Sequence, residues 1–130
     1  MNREALAVKL FEDWGRALES GDPKKAAGLY AEEAIFFPTF SSEVKTKPQE
    51  IEEYFEKFLR RAPRAKLELS FFRDFGDFFI HSGRFSLEYL GADSSQQKAF
   101  ARFHFLYKKV EEEWKILEHH SSLDPYRLYP

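Results

Sequence analysis

Residues 67–90, LELSFFRDFGDFFIHSGRFSLEYL, contain two β-strand patterns on either side of a glycine turn. In the first pattern, Leu67, Leu69 and Phe71 alternate with polar residues, which is the period of a half-buried strand. Residues 73–77 carry the glycine and reverse the chain. The second strand is longer and is expected over residues 78–90.

Two more strands follow in the sequence. They are expected over residues 98–109 and 114–122, and the short segments 91–97 and 110–113 connect them. Short connections between successive strands favour a meander, in which neighbouring strands are antiparallel. We therefore expect four long antiparallel strands in the second half of the chain.

The N-terminal third predicts two helices joined by a tight turn. Residues 3–20 place apolar side chains at helical spacing, with charged residues on the opposite side. Gly21 suits the position just past a helix end. Asp22 followed by Pro23 then predicts the start of a short second helix, which we expect to run to about Tyr30.

A short strand and a third helix complete the pattern. Residues 34–38, AIFFP, form an apolar run closed by proline, which is typical of an edge strand. Residues 48–61 carry an apolar stripe at helical spacing, and Thr46 and Gln49 have the spacing of a capping box at its start. Helices followed by a meander indicate an α+β fold, with three helices packed on one face of a curved, mostly antiparallel sheet. We expect residues 1–130 to form a single domain.

Composition excludes several classes of function. The 20 Lys and Arg residues against 22 Asp and Glu residues give a net charge of -2, so there is no cationic excess to neutralise nucleic-acid phosphates. Cysteine is absent, which excludes thiolate chemistry and cysteine-based zinc sites. The sequence contains neither a signal-peptide pattern nor an apolar run of the roughly 20 residues that a membrane helix needs. We expect a cytoplasmic protein that binds neither nucleic acid nor membrane.

The chain is rich in aromatic residues. It has 15 Phe, 6 Tyr and 2 Trp, together 18% of its residues. Bulky rings can wall a pocket as readily as they fill a core, so both arrangements are compatible with this composition. Phosphate-binding glycine loops, dinucleotide fingerprints and nucleophile-elbow motifs are absent from the sequence, and no cofactor is expected.

The obvious chemical candidates are four histidines, His81, His104, His119 and His120. The last two are neighbours on a strand and therefore point to opposite faces of the sheet. A two- or four-residue turn centred on residues 111–112 would place His104 opposite His119. A three-residue turn with a bulge would place it opposite Glu118, on the face of His120. Two histidines on one face are a possible start of a metal site, but the spacing supplies no third ligand and no metal is expected.

Several motifs along the chain match one known superfamily. They are Trp14…Ala17-Leu18…Gly21-Asp22, Leu29 to Ala34 leading to Pro38, Ile51-x-x-Tyr54-Phe55, Ala101-Arg102-Phe103, and Trp114-Lys115-Ile116 leading to His119-His120-Ser121-Ser122. With these motifs and the order of its elements, the chain resembles the nuclear transport factor 2-like superfamily. More narrowly, it is similar to the calcium/calmodulin-dependent protein kinase II association domain and its stand-alone bacterial, SnoaL-like relatives.

This resemblance implies a cone-shaped α+β fold, a pocket between the sheet and the third helix, and homo-oligomers built through the outer face of the sheet. A dimer is the expected assembly. Ketosteroid isomerases of the superfamily carry a base where this chain has Pro38, so their chemistry is not expected here. The kinase association domain lines its pocket with arginines at positions that align with Phe85, Phe105 and Ser121. Their replacement implies a preference for a small apolar or aromatic ligand.

The resemblance and the composition together predict a largely apolar pocket. Its ligand-binding residues are expected to be Trp14, Phe37, Tyr54, Phe85, Phe103, Phe105, His119 and Ser121. In the bulged register, the last two share a face with Phe103 and Phe105. In the other register, His119 joins Arg102 and His104 in a more basic pocket. The first arrangement is preferred because it buries both phenylalanines together.

Two functions are compatible with these residues. One is a non-catalytic module that binds a small molecule or associates into oligomers. The other is an enzyme of the cyclase, isomerase or dehydratase type, acting on a small hydrophobic substrate with His119 as its general base. The first is favoured because Pro38 stands where ketosteroid isomerases carry their base, and their second acidic group also has no counterpart on the later strands.

Overall fold

The computed structural model describes residues 2–125. Its elements, in chain order, are α1 (Arg3–Glu19), α2 (Pro23–Ala27), β1 (Tyr30–Phe37), α3 (Pro48–Phe58), a 3₁₀ turn (Leu59–Arg61), β2 (Arg64–Asp74), β3 (Phe78–Leu90), β4 (Gln96–Val110) and β5 (Glu113–Leu123). The five strands form one sheet in the order β1-β5-β4-β3-β2. The α+β fold, with three helices on a mostly antiparallel sheet, is confirmed.

The cap predicted at the start of α2 is confirmed, whereas the one predicted at the start of α3 is wrong. Asp22 accepts a hydrogen bond from the Lys24 amide at 2.9 Å, as the Asp-Pro pair predicts. At α3, no side chain of the N-cap residue makes a cap hydrogen bond. Instead, the Thr46 amide donates to the Glu50 carboxylate at 2.9 Å. The predicted capping box between Thr46 and Gln49 is therefore wrong, because Glu50 takes the amide that this region offers.

Strand β1 begins earlier than the local pattern predicts. The second helix ends at Ala27 rather than near Tyr30, and Tyr30 is the first residue of β1. This edge strand runs parallel to β5, with Tyr30 opposite Ile116, and the Ile116 amide donates to the Leu29 carbonyl at 2.9 Å. Pairing with a strand far along the chain thus overrides the helical preference of these residues.

The β2–β3 hairpin contains a close backbone approach. The pairing shifts between Leu67 and Leu69, so that Leu67 lies opposite Phe85 and Leu69 opposite Arg84. A Cβ atom on Gly83 would lie only 1.8 Å from the Leu69 carbonyl oxygen. Glycine is therefore the one residue that fits at position 83 without moving β2.

The β4–β5 hairpin has a register that differs from both sequence-based alternatives. Its turn has two residues, Glu111 and Glu112, with positive φ angles of 49° and 70°. Farther along, Leu117 is an extra residue in β5, because the residues before and after it pair with consecutive residues of β4. The combination of a short turn and a bulge inside the strand places His104 opposite His120. The predictions that His104 lies opposite His119 or opposite Glu118 are therefore both wrong.

Although neither expected register occurs, His119 and Ser121 still share a face with Phe103 and Phe105, as the preferred register predicted. His119 lies opposite Phe105 and Ser121 lies opposite Phe103. All four residues are buried on the face of the sheet that packs against the helices. The phenylalanines and the two polar groups therefore share the inner face.

Helix α1 covers this inner face with its apolar side. The Phe11 ring contacts the rings of Phe85, Phe103 and Phe105 at centroid distances of 5.7, 5.0 and 6.2 Å. No helix within residues 2–125 has the length and apolar character needed to cross a bilayer. The opposite, outer face of the sheet carries no helix in the described part of the chain, and one row across its five strands reads Phe37, His120, His104, Ser82 and Phe71.

Candidate functional site

Four of the expected pocket residues lie in a packed aromatic interior. Trp14, Phe85, Phe103 and Phe105 each expose at most 4% of their surface. The Trp14 ring lies 5.7 Å from Phe85 and 5.6 Å from Phe105, with edge-to-face geometry. These are ordinary ring-packing distances. These four rings contact one another, whereas Phe37 and Tyr54, also expected beside them, lie in other parts of the molecule.

His119 lies among rings beside this interior. Its ring stacks on Phe36 at 4.7 Å and lies 4.1 Å from Phe105. On its other side, Tyr30 Oη and His119 Nδ1 are 2.8 Å apart. Trp14 Nε1 donates to the same Tyr30 oxygen at 3.2 Å. A buried chain of hydrogen bonds therefore runs from Trp14 through Tyr30 to His119.

Burial controls the charge state of this chain of hydrogen bonds. Desolvation lowers the pKa of His119 well below its usual value, and nearby His120 lowers the pKa further. Desolvation also raises the pKa of Tyr30 well above its usual value, although the Trp14 hydrogen bond partly opposes that change. His119 is therefore a neutral imidazole beside a neutral phenol at physiological pH.

Hydrogen-bond matching assigns the His119 tautomer. Trp14 can only donate to Tyr30, so the Tyr30 hydroxyl is free to donate to Nδ1 of His119. The imidazole proton then lies on Nε2, which is buried without a partner among the described residues. The other tautomer would leave both the Tyr30 hydroxyl proton and the Nε2 lone pair unmatched. The first tautomer costs less, because it leaves one buried group unmatched rather than two.

His81 is a second buried histidine that sequence reasoning did not place. Its Nε2 is 2.6 Å from Ser70 Oγ, and its Nδ1 has no partner within residues 2–125. Burial lowers the pKa of His81 to about 4. This side chain contributes a neutral polar group to the interior and faces the Phe11 and Phe103 rings.

A surface cavity with a volume of about 1160 Å³ lies at one end of the sheet. We call it the α3 cleft. Helix α3 and the 3₁₀ turn form one wall, and the loops after β1 and after β3 form the others. Its lining residues are Phe40, Ser41, Glu43, Lys45, Glu53, Tyr54, Lys57, Phe58, Arg60, Arg61, Tyr89, Leu90, Gly91, Ala92, Asp93, Ser94 and Gln97.

Four aromatic side chains line the α3 cleft. Phe40 lies 5.8 Å from Phe58 and 5.2 Å from Tyr89, measured between ring centroids. Tyr54 lies 5.5 Å from Phe58 and contacts Phe36 at 5.3 Å. Phe36 in turn stacks on His119. A continuous path of rings therefore connects the open cleft with the buried histidine.

A smaller groove of about 400 Å³ lies beside the end of β1. Phe37 lines it, with its ring 5.0 Å from the ring of His120. Ser121 also lines it and accepts a hydrogen bond from the Thr39 hydroxyl. Phe37 and His120 are the two aromatic rings of this groove, whereas four aromatic side chains line the α3 cleft.

The structure therefore divides the expected ligand-binding residues into three groups. Tyr54 lines the α3 cleft, Phe37 and Ser121 line the smaller groove, and the others lie in the interior. Sequence reasoning missed Phe40 and Tyr89. The signal for Phe40 was a large ring inside a mostly polar loop segment. Phe58 was visible as part of the apolar stripe of α3, one helical turn after Tyr54.

The fold defines an α+β protein of the nuclear transport factor 2-like class. A Pseudomonas putida protein of this class, of unknown function, superposes with a TM-score of 0.74 at 17% identity, covering 92% of this chain and 84% of that one. Aln2 from Streptomyces superposes with a TM-score of 0.80 at 13% identity, covering 98% of this chain and 96% of that one. At these identities, the likeness shows the fold alone.

The family follows from two closer matches. The family model for the calcium/calmodulin dependent protein kinase II association domain matches residues 3–125. A Xanthomonas campestris protein described as such a domain is 34% identical, covers 95% of this chain and 87% of its own, and has a TM-score of 0.88. The chain belongs to the calcium/calmodulin-dependent protein kinase II association domain family. Comparison with curated proteins gives no match.

Proposed function

We propose that this protein is a non-catalytic module that binds a small apolar or aromatic molecule in the α3 cleft and associates through the outer face of its sheet. The observation that carries the binding proposal is the set of four aromatic side chains, Phe40, Tyr54, Phe58 and Tyr89, in one open cavity. Such rings supply apolar contact area at a low cost in side-chain entropy.

The burial of the interior rings supports the cleft as the place of binding. Trp14, Phe85, Phe103 and Phe105 already contact one another, so a ligand among them would have to separate packed rings. Phe40 is 40% exposed and Tyr89 is half-buried, so a ligand can cover both without such rearrangement. Covering exposed apolar surface is favourable by about 25 cal/mol per Å².

The enzyme alternative has a weaker basis. His119 has a low pKa and its Nε2 carries the proton in the better matched tautomer, so it has no free lone pair to accept a substrate proton. Its Nδ1 lone pair is taken by Tyr30. A histidine in this state has an N–H to offer but no free lone pair, so it is poorly suited to act as a general base.

The outer sheet face supports the association proposal. Phe71 is 59% exposed, Leu69 is 44% exposed and Ile35 is 37% exposed, all on the side away from the helices. Ile80 and Leu106 lie opposite one another in the middle of the same face. These apolar side chains share the face with polar ones such as His104, His120 and Ser82, and a mixed surface of this kind suits a protein–protein contact.

A fluorescent probe tests the binding proposal. We expect N-phenyl-1-naphthylamine, a neutral aromatic compound, to bind the wild-type protein, and Phe40→Ala or Tyr89→Ala to weaken it by about fivefold each. Phe75→Ala, which removes a 63% exposed ring at the β2–β3 turn, is the matched control and should bind as wild type. Equal affinity of all four proteins would contradict binding in the α3 cleft.

The enzyme alternative has its own test. Wild-type protein and His119→Gln are screened for turnover of small hydrophobic ketones and polyketide-like substrates, with folding checked by circular dichroism. The binding module predicts no turnover by either protein and unchanged probe binding by the variant. Turnover that disappears in folded His119→Gln would favour the enzyme instead.

A further inference from the structure

Four cations surround the aromatic part of the α3 cleft. Lys57 projects from the last turn of α3, Arg60 and Arg61 belong to the 3₁₀ turn, and Lys45 lies on the loop after β1. We call these four residues the cationic rim. The cleft also contains three acids, so its net charge alone does not select a ligand.

The three acids of the cleft already have partners. Glu53 accepts a hydrogen bond from the Gln49 side chain at 3.1 Å. Asp93 accepts from the amide and the hydroxyl of Ser95, at 3.0 and 2.6 Å. Glu43 lies 3.6 Å from Lys45 and is 81% exposed, so water screens most of this pair.

Most of the cationic rim has no such partner. Within residues 2–125, neither Lys57 nor Arg60 takes part in an ion pair or a side-chain hydrogen bond. Arg61 donates one hydrogen bond, from Nη1 to the Leu90 carbonyl at 3.2 Å. This bond connects the 3₁₀ turn to the end of β3 and leaves the remaining guanidinium donors available.

Lys45 is the best-positioned cation of the rim. Its backbone exchanges two hydrogen bonds with Phe36, each 2.8 Å long, and this bridge holds the loop on β1. Only 18% of its side chain is exposed. Glu50 is the other acid whose charge interacts with Lys45, and it already accepts the Thr46 amide. A partly dehydrated ammonium beside an aromatic cavity attracts an anion more strongly than one in water does.

We propose that the ligand of the α3 cleft is an aromatic or apolar molecule carrying one anionic group, such as a carboxylate or a sulfonate, which the cationic rim holds at the mouth. This inference rests on the proposed binding function and adds the charge of the ligand to it. The apolar part covers Phe40 and Tyr89, and the anionic group meets Lys45, Lys57 and Arg60. The cations come from α3, its 3₁₀ turn and a loop, and not from the interior positions Phe85, Phe105 and Ser121.

Two matched probes test the charge preference. N-phenyl-1-naphthylamine is neutral, and 8-anilinonaphthalene-1-sulfonate carries a sulfonate on a similar ring system. At about 10 mM salt, where screening is weak, we expect the sulfonate to bind about fivefold more tightly than the neutral probe. At about 150 mM salt the preference should decrease, because the rim is solvent-accessible.

Variants that remove positive charge test whether the cationic rim causes the preference for the sulfonate probe. The double substitution Lys57→Gln with Arg60→Gln should reduce the sulfonate preference from about fivefold to about twofold, because Lys45 remains, and should leave the affinity for the neutral probe unchanged. Arg64→Gln with Lys66→Gln, on exposed positions of β2 outside the cleft, is the charge-matched control and should keep the full preference. Tyr89→Ala should weaken both probes, which shows that they occupy the cleft.

The outcomes separate this inference from the function on which it rests. Neutral-probe binding that depends on Tyr89, with either no sulfonate preference or a preference that is as large in Lys57→Gln/Arg60→Gln as in the wild type, overturns the charge assignment and leaves the binding function. Absence of Tyr89-dependent binding for both probes overturns the binding function and the charge assignment together.

Discussion

His119 and His81 show how single residues combine burial with polarity in this protein. Each imidazole has one matched nitrogen, through Tyr30 or Ser70, and one buried nitrogen without a described partner. A neutral imidazole tolerates this arrangement at a modest cost, whereas an imidazolium would not. The aromatic interior therefore depends on both histidines remaining unprotonated.

This dependence predicts a loss of stability in mild acid. Folding lowers the pKa of His81 from 6.5 to about 4, and lowers that of His119 as well. Between pH 6.5 and these lower values, the unfolded chain binds protons that the folded chain does not. The stability that is present above pH 6.5 is therefore lost as the pH falls, by up to about 1.4 kcal/mol per pH unit for each histidine.

Urea unfolding at pH 7.5, 6.5 and 5.5, at one protein concentration, measures this slope. His81→Gln should remove one histidine's share of the slope. Ser70→Ala keeps the imidazole but removes its hydrogen-bond partner, so it should lower stability at every pH and retain the slope. If stability depended on pH equally in the wild type and in His81→Gln, the pKa of His81 would not differ between the folded and unfolded states.

The β4–β5 hairpin is the element that sets the inner face. Its two-residue turn fixes the pairing near Val110 and Glu113, and the bulge at Leu117 shifts the rest of β5 by one residue. Because side chains alternate between faces, this shift brings His119 and Ser121 inward and leaves His120 outward. The position of the bulge therefore matters as much as the length of the turn.

The turn itself is not optimal for its conformation. Glu111 and Glu112 both have positive φ, which costs a side-chain-bearing residue about 1 kcal/mol. The double substitution Glu111→Asn/Glu112→Gly introduces the residue pair that favours such a turn, so it should stabilise the protein by about 1 kcal/mol and raise Tm by a few degrees. The exposed Lys109–Glu112 ion pair, at 3.6 Å, contributes little and its loss should not cancel the gain.

Thermal unfolding followed by circular dichroism measures this effect. Glu111→Ala/Glu112→Ala removes the same two charges without relieving the backbone, so it is the control and should give no stabilisation. An Asn-Gly variant no more stable than this control would mean that the turn is not strained.

For the whole molecule, the outer face of the sheet is the surface that a partner chain can cover. Helices cover the inner face, whereas Phe71, Leu69 and Ile35 expose apolar surface on the other side. The family to which the chain belongs is described as an association domain. A second copy of this chain is the occupant that we propose.

Light scattering after size-exclusion chromatography tests this assembly. Wild-type protein at micromolar concentration should have about twice the chain mass of 15.4 kDa. Phe71→Glu places a charge in the proposed contact and should shift the protein to monomer. Phe75→Glu changes an equally exposed ring on the β2–β3 turn and should not. A monomeric wild type, or a dimeric Phe71→Glu variant, would exclude association through this face.

The candidate site was only partly predictable from residue types. Trp14, Phe103 and Phe105 were expected on one wall, and they do lie together, because helical and strand periodicity assign side chains to faces. Whether facing rings enclose a space or fill it depends on the distance between α1 and the sheet. The spacing of apolar residues in the sequence does not determine that distance. Phe40 lies on the loop after β1 and Tyr89 near the end of β3, so no local pattern connects them.

The sequence by itself determined the type and order of the elements and the start of α2 at Asp22, because these depend on neighbours within one or two turns of chain. Tertiary structure alone decided the parallel pairing of β1 with β5, the bulge at Leu117 and the hydrogen bond between Tyr30 and His119. These contacts join residues far apart in the chain, and their energies depend on packing that forms only when the sheet and the helices meet.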